Sequence, residues 1–310
     1  MDKRVYGVIG IKSVMANWNA DFTGYPKSIS NGDVFGSDKA LKYTMKKMWE
    51  NNGEKVLYVK SLKVEKDKKE GSKVAPKSLK ERYEEIFEVE DLKKEKDSQK
   101  VLGNLFNALD VKNFGATFAE EGNNIGITGA VQIGQGFNKY EDTVSEEQQI
   151  LSPFRVDKGS DKEAGSTTLG TKIVSDEAHY VYPFSVNPTV YDNFKEMGVT
   201  NGYTEEDYNK FKEVSLFSAT AFNTNSKMGT ENELAVFVET TSELYLPDLA
   251  QYVTFEKKEK DEITLKFDEL LNSLGDEILN VEVYYNPYKL NINANINKAK
   301  YFNLFTKKEV

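Results

Sequence analysis

Cysteine is absent from the 310 residues, which excludes disulfides and thiolate metal sites and removes any need for an oxidising compartment. Histidine is almost as scarce. With His179 alone, a histidine-built zinc centre or catalytic triad lacks members, and His179, beside Tyr180 in a strand-like run, reads as a packed core residue. Arginine occurs only as Arg4, Arg82 and Arg155, so bidentate reading of individual bases is not favoured. No window approaches the roughly 20 apolar residues of a membrane span. The N-terminal MDKRVYGVIGIKSVMANWN is broken by polar and small residues well short of a signal-peptide core, and a soluble cytoplasmic protein without membrane contact is expected.

What the chain does have is rings. Seventeen Tyr and 18 Phe in so polar a sequence (mean hydropathy -0.59) favour sheet surface, and rings also stack on bases. The formal net charge of -9 argues against a polyanion partner, but its distribution does not. Residues 1–60 carry 10 basic and 6 acidic side chains, whereas 101–310 carry 19 and 33, so the N-terminal fifth is a basic island on an acidic body.

RVYGVIGIKSVM, residues 4–15, is apolar on both faces and predicts a strand central to a sheet. After a long polar segment, Ser37 is placed to cap a helix whose apolar side is Leu41, Met45, Met48 and Trp49 and whose end is Gly53. EKVLYVKSL, residues 54–62, alternates as a second strand would. Residues 60–100, with 13 basic and 11 acidic side chains, read as a solvated helical lobe, mobile near KKEGSKVAP. Strand patterns return at VKNFGATFA, ITGAVQIGQGF, AHYVYPFSV, ELAVFVETTSELYL and ILNVEVYYNPYKLNI. A helix capped by Thr204 lies between them. The order is that of an α+β sheet domain bearing two polar lobes.

Three features bear on chemistry. GQGFNK lacks the third glycine, the helix and the acidic partner of a dinucleotide fingerprint, and no Walker lysine follows; close backbone approach or a kinked strand end remains. Lys39, Lys42 and Lys46 share a helix side near Asn17, Trp18 and Asn19, a ring and two amides, which suits single-stranded nucleic acid. Asp21, Asp33 and Asp38 surround one loop and read chiefly as turn and first-turn residues.

In order, GIKSVMANWNADF, DVFGSDKALKYTMKK, FGATFA with ITGAVQIGQGFN, TTLGTK, YVYPFSVNP and SATAFNTNSKMGTENELAVFVE span about residues 4–240. Their succession resembles the Cas-seven family, the backbone subunit of type I CRISPR Cascade, most closely its I-B branch. The resemblance implies a modified RNA-recognition (RRM-like, ferredoxin-like) palm of residues 1–60, 113–137 and 179–310. It also implies helical fingers inserted at 61–112 and a thumb at 138–178. It further implies a crRNA-binding subunit with no catalytic residues, metal or cofactor, polymerising head to tail along the guide spacer for pairing with target DNA. The partners implied are crRNA, target DNA, copies of itself, Cas-five-like, Cas-eight-like and small subunits, and a helicase-nuclease. RNA contacts implied are Lys12, Asn17, Trp18, Asn19, Ser37, Lys39, Lys42 and Lys46 in the palm, and Gln132, Gln135, Phe137 and Lys139 along the glycine strand. Thr168, Leu169 and Lys172 fall in the thumb, with Leu169 as the wedge at a displaced base. The rival implied by type III relatives is RNA cleavage through Asp33; an unrelated structural protein on the same sheet is the third reading.

Overall fold

Strand β1 (Arg4–Ala16) is apolar on both faces because both faces are covered and both edges are bonded. It pairs antiparallel with β10 (Leu169–Val186) on one side and with β11 (Thr230–Thr240) on the other. The computed structural model describes residues 1–67, 71–151 and 169–310.

Along the chain, β1 runs into an irregular segment, β2 (Phe35–Gly36) and helix α1 (Asp38–Asn51). Leu41, Met45 and Trp49 of α1 are buried at helical spacing, and Gly53 follows its end at φ 85°. Ser37 occupies the N-cap position, but its side chain makes no capping bond. The strand expected at 54–62 is not formed until Leu62. The buried carboxylate of Asp110 accepts from the N–H groups of Leu57 and Tyr58, both at 2.8 Å, so these amides are satisfied without a ladder.

The lobe that follows is not wholly helical. It opens with the hairpin β3 (Leu62–Asp67) and β4 (Gly71–Pro76), then α2 (Leu79–Phe87), α3 (Ser98–Phe106) and α4 (Leu109–Phe114). Ser78 and Glu81 form a reciprocal capping box on α2, a pairing that its charged composition obscured. The glycine-rich stretch is four short strands: β5 (Gly115–Phe118), β6 (Ile125–Thr128), β7 (Val131–Ile133) and β8 (Gly136–Asn138). Strand β9 (Ser145–Leu151), exposed at every residue, pairs with the first part of β10 as a two-stranded arm. Helices α5 (Asp192–Glu196) and α6 (Glu205–Phe217) precede β11, and Thr204 caps α6 in a box with Asp207, as expected. The rest is β12 (Val253–Glu256), β13 (Asp261–Leu265), α7 (Asp268–Ser273), β14 (Ile278–Tyr285), β15 (Leu290–Asn293) and β16 (Ala299–Asn303).

The main sheet runs β16-β14-β11-β1-β10-β8-β2, with β7 and β9 also bonded to β10. Period-two alternation sends successive residues to opposite cores. Ala235 and Phe237 join α1, α3, α4 and α6 on one face. Val236 and Val238 face β12, β13, β15 and α7 on the other. The architecture is mixed α+β with one large sheet.

Close approach explains several glycines. A Cβ on Gly136 would sit 2.5 Å from the Tyr182 ring, one on Gly36 2.6 Å from Trp18, and one on Gly134 2.7 Å from Pro183. These glycines admit the chain's own rings. Gly136→Ala should therefore destabilise by about 1–3 kcal/mol through overpacking. Gly126→Ala, where a Cβ meets nothing within 4 Å, should stay within about 0.5 kcal/mol of wild type. Denaturant midpoints compare the two, and equal midpoints would remove the packing role of Gly136.

Candidate nucleic-acid interface

The end of β1, the segment 17–36, the start of α1, β8 and the outer half of β10 meet in one region. Asn17 ties it together: it is buried, and its Nδ2 donates to the carbonyls of Gly24 (2.9 Å) and Ile173 (3.1 Å). Asn19 accepts the Ser37 N–H at 2.8 Å, fixing the entry to α1. Trp18 is wholly buried and donates from Nε1 to the Tyr182 hydroxyl at 2.5 Å. This corrects the reading of Trp18 as a stacking ring, since Tyr182 and the Gly36 backbone occupy the space around it. Rings that do reach solvent here are Phe22, fully exposed, Tyr25, and Phe137, which is 38% exposed and lies 5.9 Å from Phe35.

The expected lysines divide sharply. Lys12 pairs with Glu177 (3.1 Å) and Asp261 (3.2 Å); burial opposes its charge, but hydrogen bonding to Glu177 and the neighbouring carboxylates raise its pKa. Lys42 lies 2.9 Å from Asp38. Lys46 is 3.9 Å from the buried Asp110; burial lowers its pKa against that attraction. These three charges are answered within the chain, which corrects the reading of α1 as an open cationic side. Lys39 is exposed and makes no ion pair among the described residues.

Five half-buried lysines also lack an ion pair among the described residues: Lys260, away from this region, and Lys27, Lys139, Lys172 and Lys227. Lys27 belongs to the segment after β1, its N–H donating to the Asn19 carbonyl at 2.9 Å. Lys172 precedes Ile173, whose carbonyl receives Asn17. Burial lowers the pKa of Lys139 against the pull of Asp248. Lys139 lines a groove of 700 Å³ with Phe137, Tyr140, Phe255, Lys257 and Asp33. Gln132 and Gln135 are exposed, the first donating to the Gly129 carbonyl (2.8 Å), the second to Asp38 (3.4 Å). Thr168 and the Leu169 side chain lie outside the described residues; the Leu169 backbone pairs with Leu151.

Lys27 and Lys227 were not legible as candidates. Lys27 sits in a segment without periodicity, and Lys227 in a Thr/Asn/Ser-rich turn between α6 and β11. A lone lysine in such a turn is the one signal either offered.

Asp21, Asp33 and Asp38 do not converge. The Asp21 Oδ1 accepts from the Thr23 N–H (2.8 Å) and hydroxyl (2.7 Å), and Asp33 accepts from Asn31 at 2.8 Å, both as turn chemistry. Among the described residues, the group spaced to hold a metal is Glu177, His179 and Asp261. Lys12 and Lys257 already lie on its carboxylates, Lys257 at 2.8 Å from Glu177. His179 is buried as expected, yet in a polar network: Nδ1 is 2.9 Å from Glu233, Nε2 3.2 Å from Glu177, and the ring stacks 3.7 Å from Phe255. The cluster clasps β1, β10 and β11 to the second sheet.

The fold has a counterpart among solved structures. Over 97% of its length the chain is similar to a chain of a "CRISPR RNA-guided surveillance complex, pre-nicking", covering 97% of that chain at TM-score 0.55 and 13% identity. A chain of another CRISPR RNA-guided surveillance complex matches at TM-score 0.48 and 14% identity, over 90% of this chain and 88% of that one. No curated protein matches in sequence. At 13% identity the likeness is one of fold: the chain has the architecture of a surveillance-complex subunit. The family of CRISPR-associated protein Cas7 matches residues 3–272, and the chain belongs to it. No helix among the described residues is long and apolar enough to cross a membrane.

Burial pushes the Glu177 carboxyl up, but hydrogen bonds from Lys257 and Lys12 outweigh it and hold its pKa down at about 2, from 4.5. A carboxylate depressed on folding stabilises above its unfolded pKa, and that stability is lost as pH falls through the folded value. Glu177→Gln should be less stable than wild type at pH 7 by about 1–3 kcal/mol. The gap should close between pH 4.5 and about 2. Urea midpoints across that range check it; a gap independent of pH would refute the clasp.

Proposed function

We propose that the chain is the crRNA-binding backbone subunit of a type I CRISPR interference complex, of the I-B branch, assembled head to tail along the guide spacer. Membership of the Cas7 family over residues 3–272 carries this reading. An asymmetric self-contact that does not close generates an open filament. Guide pairing supplies the sequence specificity toward target DNA, while the protein holds backbone and shape. In this reading the sheet and its helices are the RRM-like palm, residues 61–112 the fingers, and 138–178 the thumb. Cas-five-like, Cas-eight-like and small subunits and a helicase-nuclease complete the assembly, in the cytoplasm.

The electrostatics support the reading. Lys27, Lys39, Lys139 and Lys172 are without carboxylate partners among the described residues, around Asn17 and along β8 and β10. Phe22 and Phe137 provide exposed rings near them. A lysine-rich, arginine-poor surface suits sequence-independent contact with phosphates. The acidic remainder of the surface limits stray nucleic-acid binding. The subunit does no chemistry in this proposal; metal-dependent cleavage of RNA paired to the guide, abolished by Asp33→Ala, would overturn that part.

Purified with its complex, the chain should carry small RNA of uniform length. The variant Lys27→Ala, Lys39→Ala, Lys172→Ala should bind single-stranded RNA more weakly, and its log K against log salt slope should be shallower by about 2. Lys42→Ala, whose partner is Asp38, should leave the slope nearly unchanged. Equal slopes for the triple variant and wild type would place the RNA elsewhere.

A further inference from the structure

Lys227 lies in the turn between α6 and β11, and its ammonium reaches across to the end of β1. It donates to the carbonyl of Asn17 at 2.8 Å and to that of Trp18, and stands 5.5 Å from the Trp18 ring centroid. The turn is tied there through its backbone as well: the Asn17 N–H donates to the Ser226 carbonyl and the Val14 N–H to that of Gly229, each at 2.9 Å. The ammonium is thus held in one position by a built seat of carbonyls.

What this seat lacks is a negative charge. Several comparably covered lysines have one: Lys3 has Glu239, Lys12 has Glu177 and Asp261, Lys112 has Asp207, and Lys212 has Glu282. Lys227 makes no ion pair among the described residues; carbonyl dipoles and one ring face it. A covered ammonium without a counter-charge is unfavourable, and two backbone carbonyls leave one of its three N–H groups to be satisfied.

We propose that the Lys227 ammonium is a receptor for a phosphodiester of the bound single-stranded RNA, which supplies the missing counter-charge beside Asn17 and Trp18. This rests on the RNA-binding reading above and names a contact within it. The seat explains the pairing of features: the carbonyls orient the cation, and no internal carboxylate competes with the incoming anion. The backbone of Lys27 bonds Asn19, and Lys172 directly precedes Ile173, whose carbonyl receives Asn17, so two further lysines belong to the segments joined at this junction.

One consequence is thermodynamic. Burial holds the pKa of Lys227 down at about 8, and no charged group opposes that shift. An anion bound beside it restores the charged form, so binding near pH 8 must take up protons, about half a proton per site.

Isothermal titration of single-stranded RNA at pH 8, in two buffers of different ionisation enthalpy, measures that uptake. Wild type should take up about half a proton per subunit bound. Lys227→Arg, charged at every pH used, should bind without that component. Lys227→Met should bind about tenfold more weakly, with a salt slope shallower by about 0.7. If Lys227→Met fails to fold, the arginine variant still decides. Equal proton uptake by wild type and Lys227→Arg overturns the inference while leaving RNA binding intact. Failure of wild type to bind RNA at low salt overturns the reading beneath it.

Discussion

The placement of β1 between β10 and β11 is the constraint on which the rest of the structure depends. Both edges of β1 are spent on hydrogen bonds and both faces on packing, so no freedom is left in where it ends. Gly7 shows how tight this is, since a Cβ there would lie 2.6 Å from the Phe184 ring. The residues just past the strand, Asn17 to Asn19, inherit that rigidity and pass it on to Gly24, Ile173, Tyr182 and Ser37. The candidate interface is therefore positioned by the internal hydrogen bonds of Asn17, Trp18 and Asn19.

Charge follows the same division of labour. Where lysines are needed for architecture they meet acids, as Lys12 does with Glu177 and Asp261 across two sheets, or Lys112 with Asp207 between α4 and α6. Around Asn17 and along β8 and β10 the half-buried lysines are left unanswered among the described residues. A covered charge costs free energy unless it is paired or hydrogen-bonded.

Legibility in the sequence tracked the length and regularity of each element. β1, α1, α6 and β11 could be read because their apolar spacing is strict and Thr204 announces its helix. The segment 54–61 misled because Val56, Leu57 and Val59 are apolar and buried between charged neighbours, while Asp110, 53 residues from Leu57, takes the amides a ladder would need. The 62–76 hairpin was hidden by its lysines and glutamates. In the interface, residue types pointed to the right region but not to the right roles. Trp18 looked like a base-stacking ring, and only the fold shows Tyr182 against it; Lys42 looked free, and only the helix turn brings Asp38 to it. Conversely, Lys227 acquires meaning solely from a strand end more than 200 positions earlier.

Strand β10 is 18 residues long, about 60 Å if fully extended, yet only part of it lies in the sheet core. Its inner half carries Tyr180, Tyr182 and Phe184 into the core, and its outer half forms the arm with β9. Because one unbroken backbone serves both, the arm behaves mechanically as a cantilever clamped at one end. Its root is fixed where Ala16 pairs with Ser175 and Asn17 donates to the Ile173 carbonyl, so a load applied out on the arm would be felt as torque at the end of β1.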